Sequence, residues 1–143
     1  MSTQKYLDLK AKHEKEISDF PIAYAFSDEQ LQEALKKLGA TKEECVTIFG
    51  HGDIVKKENA GRFIALLKRQ TEEIKNTLIT DKLVAESAFL YEMDNHEYAI
   101  NYDGDEDVLR CFGLDEEELI ELGLERAYLR ARNKHMEHAR EWF

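Results

Sequence analysis

Apolar residues recur mostly at three- and four-residue intervals along this chain, a spacing that predicts helices. Tyr6, Leu9, His13, Ile17 and Phe20 mark one face of a helix over residues 3–19, with Lys10, Lys12, Glu14 and Lys15 on the others. Pro21 ends it, because the residue before a proline avoids helical dihedrals. The apolar run Ile22 to Phe26 predicts a strand or a buried extended segment. Ser27 with Gln30 forms a capping box, Leu31, Ala34, Leu35 and Leu38 face inward, and Gly39 is the expected C-cap. Thr41 and Glu44 repeat the capping-box spacing at a short helical turn.

The period then shortens. Val46 to Phe49 and Ile54 to Lys57 flank Gly50-His51-Gly52-Asp53, the signature of a β-hairpin. Asn59 is the expected N-cap of the next helix, whose stripe is Phe63, Leu66, Leu67, Gln70, Ile74 and Leu78. Thr80 and Asp81 cap a further helix with Leu83, Val84, Ala88, Leu90 and Tyr91 on one broad face. Residues 95–101 read equally as helix or strand, and Tyr102 to Asp105 as a loop. Val108, Leu109 and Phe112 predict a short helix closed by Gly113, Asp115 caps a helix over Glu116 to Glu121, and a last helix runs from Leu124 to Glu141. The expected fold is mainly α within an α+β class: five to seven helices with a small hairpin near residues 46–57, in one globular domain spanning residues 1–143.

Charge adds a second layer. Of a formal net charge of −10, residues 81–121 carry −12, from fourteen acids against Lys82 and Arg110, and the rest of the chain sums to +2. A negative chain is repelled by phosphate backbones, so direct nucleic-acid binding is not expected. There is no apolar run of the ~18 residues that span a bilayer, nor the apolar core of a signal peptide near the N-terminus, so the expectation is no membrane and a cytoplasmic location. Cys45 and Cys111 stand far apart without a neighbouring Cys–His spacing and read as small buried hydrophobes.

Candidate chemistry is sparse. Asp103-x-Asp105-x-Asp107 starts like a calcium loop, but Val108 and Leu114 occupy the positions that need Gly and Glu, so a solvated turn that caps the next helix is expected over a loose cation site. Asp94, His96 and Glu97, near Tyr91, Tyr98 and Tyr102, bring two carboxylates and an imidazole together as a metal or proton-sharing site, set against a polar helix end. Gly50-His51-Gly52 offers backbone amides to a phosphate but lacks a P-loop lysine, so a plain turn is the default. His135 and His138 fall on the apolar stripe Leu124, Tyr128, Ala131 and Trp142, where core packing outweighs a metal pair. The remaining face carries Arg126, Arg130, Arg132, Lys134 and Arg140, to dock on the chain's own acids, to reach a partner or to be solvated, with the first and last as the expectation. No nucleophile–histidine signature occurs, and no cofactor is implied.

Phe20 to Ser27 leading into Leu31 to Leu38-Gly39, and Tyr91 to Tyr98 leading to a Leu-rich acidic helix, resemble a family of short acidic proteins encoded in bacteriophages and mobile elements of gut bacteria. The resemblance implies a setting of accessory and anti-defence proteins and carries over no functional residue; the basic C-terminal helix departs from the family pattern. Three functions follow as expectations. The first is a non-enzymatic acidic binding protein that presents Glu92, Asp94, Glu97, Asp105, Glu106 and Glu118 to a basic, nucleic-acid-binding groove of a protein partner. The second is a metal-binding module or metal-dependent enzyme centred on Asp94, His96 and Glu97. The third is a self-associating accessory protein, a homo-oligomer in which the basic helix of one copy meets the acidic segment of another.

Overall fold

A computed structural model describes residues 2–96 and 104–141. These form α1 (Ser2–Asp19), β1 (Ile22–Tyr24), α2 (Asp28–Leu38), a single 3-10 turn (Lys42–Glu44), β2 (Cys45–Val46), β3 (Asp53–Lys56), α3 (Lys57–Thr80), α4 (Lys82–Asn95), α5 (Gly104–Arg110), α6 (Glu116–Glu121) and α7 (Glu125–Glu141). The expected α+β class, helical with a small sheet, is what the described residues adopt. The chain divides into two compact units, residues 11–70 and residues 1–10 with 71–143.

In the unit of residues 11–70 the strands run in the order β1-β3-β2, all antiparallel. Val55 of β3 pairs with Ile22 on one side and Val46 on the other, so the hairpin gains a third strand from the segment after Pro21. A hairpin alone is marginal in water; the third strand and an apolar face make it stable. That face is Ile22 and Val55, which meet Phe63 of the helix Lys57–Thr80, with Ile17, Phe20, Ile48, Leu66 and Leu67 packed around them. Phe63 meets Phe20 and Phe49 at ring-centroid distances of 5.0 and 5.8 Å. The Ser27 hydroxyl accepts from the Gln30 amide, and Gly39 closes α2 in the left-handed region, as the capping pattern predicts. The strand stops at Tyr24, short of the expected Phe26, and both of these aromatics are exposed. The α3 helix starts at Lys57, directly after β3, and not at a cap on Asn59, whose side chain instead accepts from Arg62.

The other unit is built on a larger core. Tyr6, Phe112, Phe89 and Tyr128 meet in series, tilted or edge to face, with Phe112–Tyr6, Phe112–Phe89 and Phe89–Tyr128 centroids at 5.3, 4.9 and 5.2 Å. Leu78, Met93, Val108, Leu109, Leu124 and Ala131 complete it. Asp81 and Asp115 cap α4 and α6 as expected. The face of α4 differs from the sequence reading. Leu83 is 66% exposed, whereas Val84, Ala85, Glu86, Ala88, Phe89, Glu92 and Met93 are buried. Apolar spacing alone passed over Glu86 and Glu92, because a carboxylate enters a core when bases elsewhere in the chain meet it. The α4 helix ends at Asn95, and α5 begins at Gly104, inside the stretch expected to be loop; residues 97–103 lie outside the described residues.

Candidate functional site

His96 is the C-cap of α4, four residues after Glu92, so the two side chains meet on one side of the helix end. Cys111, just past α5, completes a cluster in which one ligand atom of each residue lies within 4.8 Å of the others. His96 Nε2 is 3.2 Å from Glu92 Oε2 and 3.6 Å from Cys111 Sγ. Lys10 donates to Glu92 Oε1 at 2.9 Å. Tyr6, one turn earlier on α1, also faces Glu92, whose negative charge bears on its phenol.

Glu92 is 1% exposed, and burial pushes its carboxyl up; hydrogen bonds from Lys10 and Cys111 and the Lys10 charge outweigh that and hold it below the usual carboxylate range. Burial, then the hydrogen bond to Glu92 and its negative charge, push the Cys111 thiol up to about 12. Burial and the Glu92 charge likewise raise the Tyr6 phenol. The thiol is thus protonated at neutral pH and is no nucleophile in this state. The half-exposed imidazole, the carboxylate oxygen and the sulfur form a mixed N, O, S donor set.

The residues singled out from sequence are distributed differently. Asp94 and His96 sit two apart on a helix and face opposite ways. Asp94 turns to α7, with Oδ1 2.7 Å from His135 Nδ1 and Oδ2 3.0 Å from His138 Nδ1. The expected centre on Asp94, His96 and Glu97 is therefore divided between two places, and Glu97 lies outside the described residues. His135 is buried as the apolar stripe predicts, and His138 is half-exposed. Asp105 accepts from the Tyr128 hydroxyl at 2.5 Å and lies 3.8 Å from Arg132. Glu118 pairs with Lys75, and Glu106 with Arg110 at an exposed position. Glu86 is held by Arg130 at 3.1 Å and Lys134 at 2.8 Å. Three bases of α7 thus dock on the chain's own acids, one of the outcomes weighed for that face.

The loop after β2 closes on itself. Asp53, 1% exposed, accepts from the Thr47 hydroxyl and from the amides of Ile48, Phe49 and His51. The loop amides of Ile48, Phe49 and His51 are thus turned onto the chain's own carboxylate, and Gly50-His51-Gly52 carries the chain round between β2 and β3 with His51 exposed.

Sequence reasoning missed Cys111, Lys10 and Tyr6. The Glu92–His96 spacing was readable as an i, i+4 pair, but only the tertiary fold brings the other three to it. No helix among the described residues is long and apolar enough to cross a membrane. No curated protein and no solved structure matches the chain. A family match covers residues 5–131, most of the chain, and the chain accordingly belongs to the family described as Family of unknown function (DUF7659).

Proposed function

We propose that this is a non-enzymatic binding protein that engages a basic surface of a protein partner through the acidic face of α5 and α6. The observation that carries it is how the acids sort by partner. Glu86, Glu92, Asp94, Asp105 and Glu118 face basic or histidine side chains of their own chain. Glu116, Glu117 and Glu121 are exposed, and among the described residues no ion pair engages them. Exposed Ile120 lies among them. Beside them a groove of about 550 Å³ is lined by Leu109 and Leu114 together with Glu106, Asp115, Glu116 and Glu117, and by Arg110, which is paired with Glu106. Leucines beside carboxylates suit a lysine or arginine side chain, which lays its stem on the leucines and its charge among the carboxylates. The presenting set is accordingly narrower than the sequence expectation and shifted toward α6.

In the mobile-element setting that the sequence resemblance implies, the partner is a host protein with a nucleic-acid-binding groove, and the carboxylates stand in for phosphates as an anti-defence device in the host cytoplasm. The test is affinity capture from host lysate at low salt, with wild type and a Glu116→Lys/Glu117→Lys/Glu121→Lys variant compared by mass spectrometry. A basic protein retained only by wild type, released by salt and displaced by duplex DNA supports the proposal. Identical recovery by both forms overturns it.

A further inference from the structure

We propose that Glu92, His96 and Cys111 form a binding site for one divalent transition ion of the zinc class. It rests on different residues from the acidic face and goes beyond the binding reading above.

The donor set decides the class of ion. Magnesium and calcium take oxygen ligands, whereas an imidazole nitrogen, a carboxylate oxygen and a thiolate sulfur together suit zinc and its neighbours. The spacing decides whether one ion reaches all three. With Zn–N and Zn–O of about 2.0–2.1 Å and Zn–S of about 2.3 Å, tetrahedral coordination places nitrogen and oxygen roughly 3.3 Å apart, and nitrogen and sulfur roughly 3.6 Å apart. His96 Nε2 stands 3.2 Å from Glu92 Oε2 and 3.6 Å from Cys111 Sγ. These two are tetrahedral edges within the tolerance of a metal site, and the third pair, Glu92 and Cys111, has its ligand atoms within 4.8 Å.

The surroundings divide the Glu92 carboxylate between two tasks. Lys10 holds Oε1, so Oε2, the oxygen nearest His96, is the one that faces the ion. Outer-shell donors of this kind orient a ligating carboxylate. The carboxylate and the thiolate formed on binding match the ion's charge. Glu92 is buried, while the His96 side chain is 49% exposed and provides the entry path. Three protein ligands leave a fourth position to water, the arrangement of an open zinc site.

The same distances also suit a hydrogen-bonded triad that closes α4 without a metal, and the experiment separates the two. The full chain, untagged and stripped with a chelator, is titrated with Co²⁺ and then Zn²⁺. The expected result is one equivalent of cobalt with a thiolate-to-cobalt charge-transfer band in the near ultraviolet and tetrahedral bands in the visible, all bleached by Zn²⁺. Cys111→Ser should abolish the charge-transfer band and Cys45→Ser should leave it. His96→Asn should weaken cobalt at least ~10-fold, and His138→Asn should not change it. Circular dichroism establishes that each variant is folded. A folded wild type with no thiolate band at excess cobalt overturns the proposal, as does a band that survives Cys111→Ser.

Discussion

Lys10 Nζ lies 2.9 Å from Glu92 Oε1, a pair made across 82 residues of chain in which Glu92 is 1% exposed and Lys10 33%. A buried carboxylate left without its base is costly, about 3–5 kcal/mol in fully buried pairs. Lys10→Ala should cost less, roughly 2–3 kcal/mol in urea unfolding, because Lys10 reaches solvent and Tyr6, His96 and Cys111 still face the carboxylate. Lys10→Met/Glu92→Met should recover most of that loss, since an apolar pair of similar volume removes both the charge and its desolvation.

The pair also sets a pH dependence. The Glu92 carboxyl is held down in the fold, so its contribution is present above the unfolded value of about 4.3 and is lost as pH falls through the folded value. For Lys10, burial lowers the ammonium, but the hydrogen bond and charge of Glu92 raise it net; that contribution is present below about 10.4 and lost as pH rises further. Urea midpoints followed with pH should fall at both ends, and Glu92→Gln should flatten both limbs.

Asp53 makes a separate acid-sensitive point in the unit of residues 11–70. Burial pushes its carboxyl up, but four donors from Thr47, Ile48, Phe49 and His51 bring it to about 2. Its contribution, on the order of 2 kcal/mol, is present above about pH 4 and should vanish between about pH 4 and 2. Amide exchange at Ile48 and Phe49 should accelerate over that window. Asp53→Asn should accelerate it already at neutral pH, because an amide presents only one acceptor oxygen to the same donors.

The elements were legible in the sequence where local chemistry decides them. Ser27, Asp81 and Asp115 cap as their side chains dictate, and the two-glycine linker at Gly50 and Gly52 turns the chain. The site was legible only in part, for a physical reason. Periodicity counts apolar residues, so it excludes Glu86 and Glu92 from the core; their burial depends on Arg130, Lys134 and Lys10, which arrive from other helices. Neighbours in sequence such as Asp94 and His96 diverge on a helix, whereas Glu92, His96 and Cys111 converge only once α4 and α5 are folded.

Asp94 should show unequal coupling to its two histidines. Its bond to His135 ends on a ring 1% exposed, and that to His138 on one 43% exposed. A double-mutant cycle with Asp94→Asn should return roughly 1.5–3 kcal/mol for His135→Gln and under about 1 kcal/mol for His138→Gln. Equal couplings would show that burial does not govern the pair.

Gly113 has φ 67, and a Cβ there would meet Thr71 Cγ2 at 2.7 Å. Gly39 has φ 64 with nothing within 4 Å of that position. Gly39→Ala should therefore cost only the left-handed backbone, about 1 kcal/mol. Gly113→Ala should cost about 2–3 kcal/mol, because overpacking adds to the same backbone term. In a Thr71→Ser background, which removes the clashing methyl, the Gly113→Ala cost should fall back toward that of Gly39→Ala by thermal unfolding.

Cys111 offers a direct readout of the Glu92 charge. With its thiol pushed up to about 12, alkylation by iodoacetamide at pH 8 should be roughly a thousandfold slower than that of a free thiol near 8.5. Cys45, raised by burial and the Glu44 charge, should also react slowly but ahead of Cys111. Two substitutions act with opposite sign. Glu92→Gln removes the negative charge and should speed alkylation of Cys111, whereas Lys10→Ala removes a positive charge that favours the thiolate and should slow it. Peptide mapping by mass spectrometry gives both rates in one experiment, and Cys45 in the same sample controls for global unfolding. If Glu92→Gln leaves Cys111 unchanged while Cys45 is steady, burial alone holds the thiol and the carboxylate does not reach it.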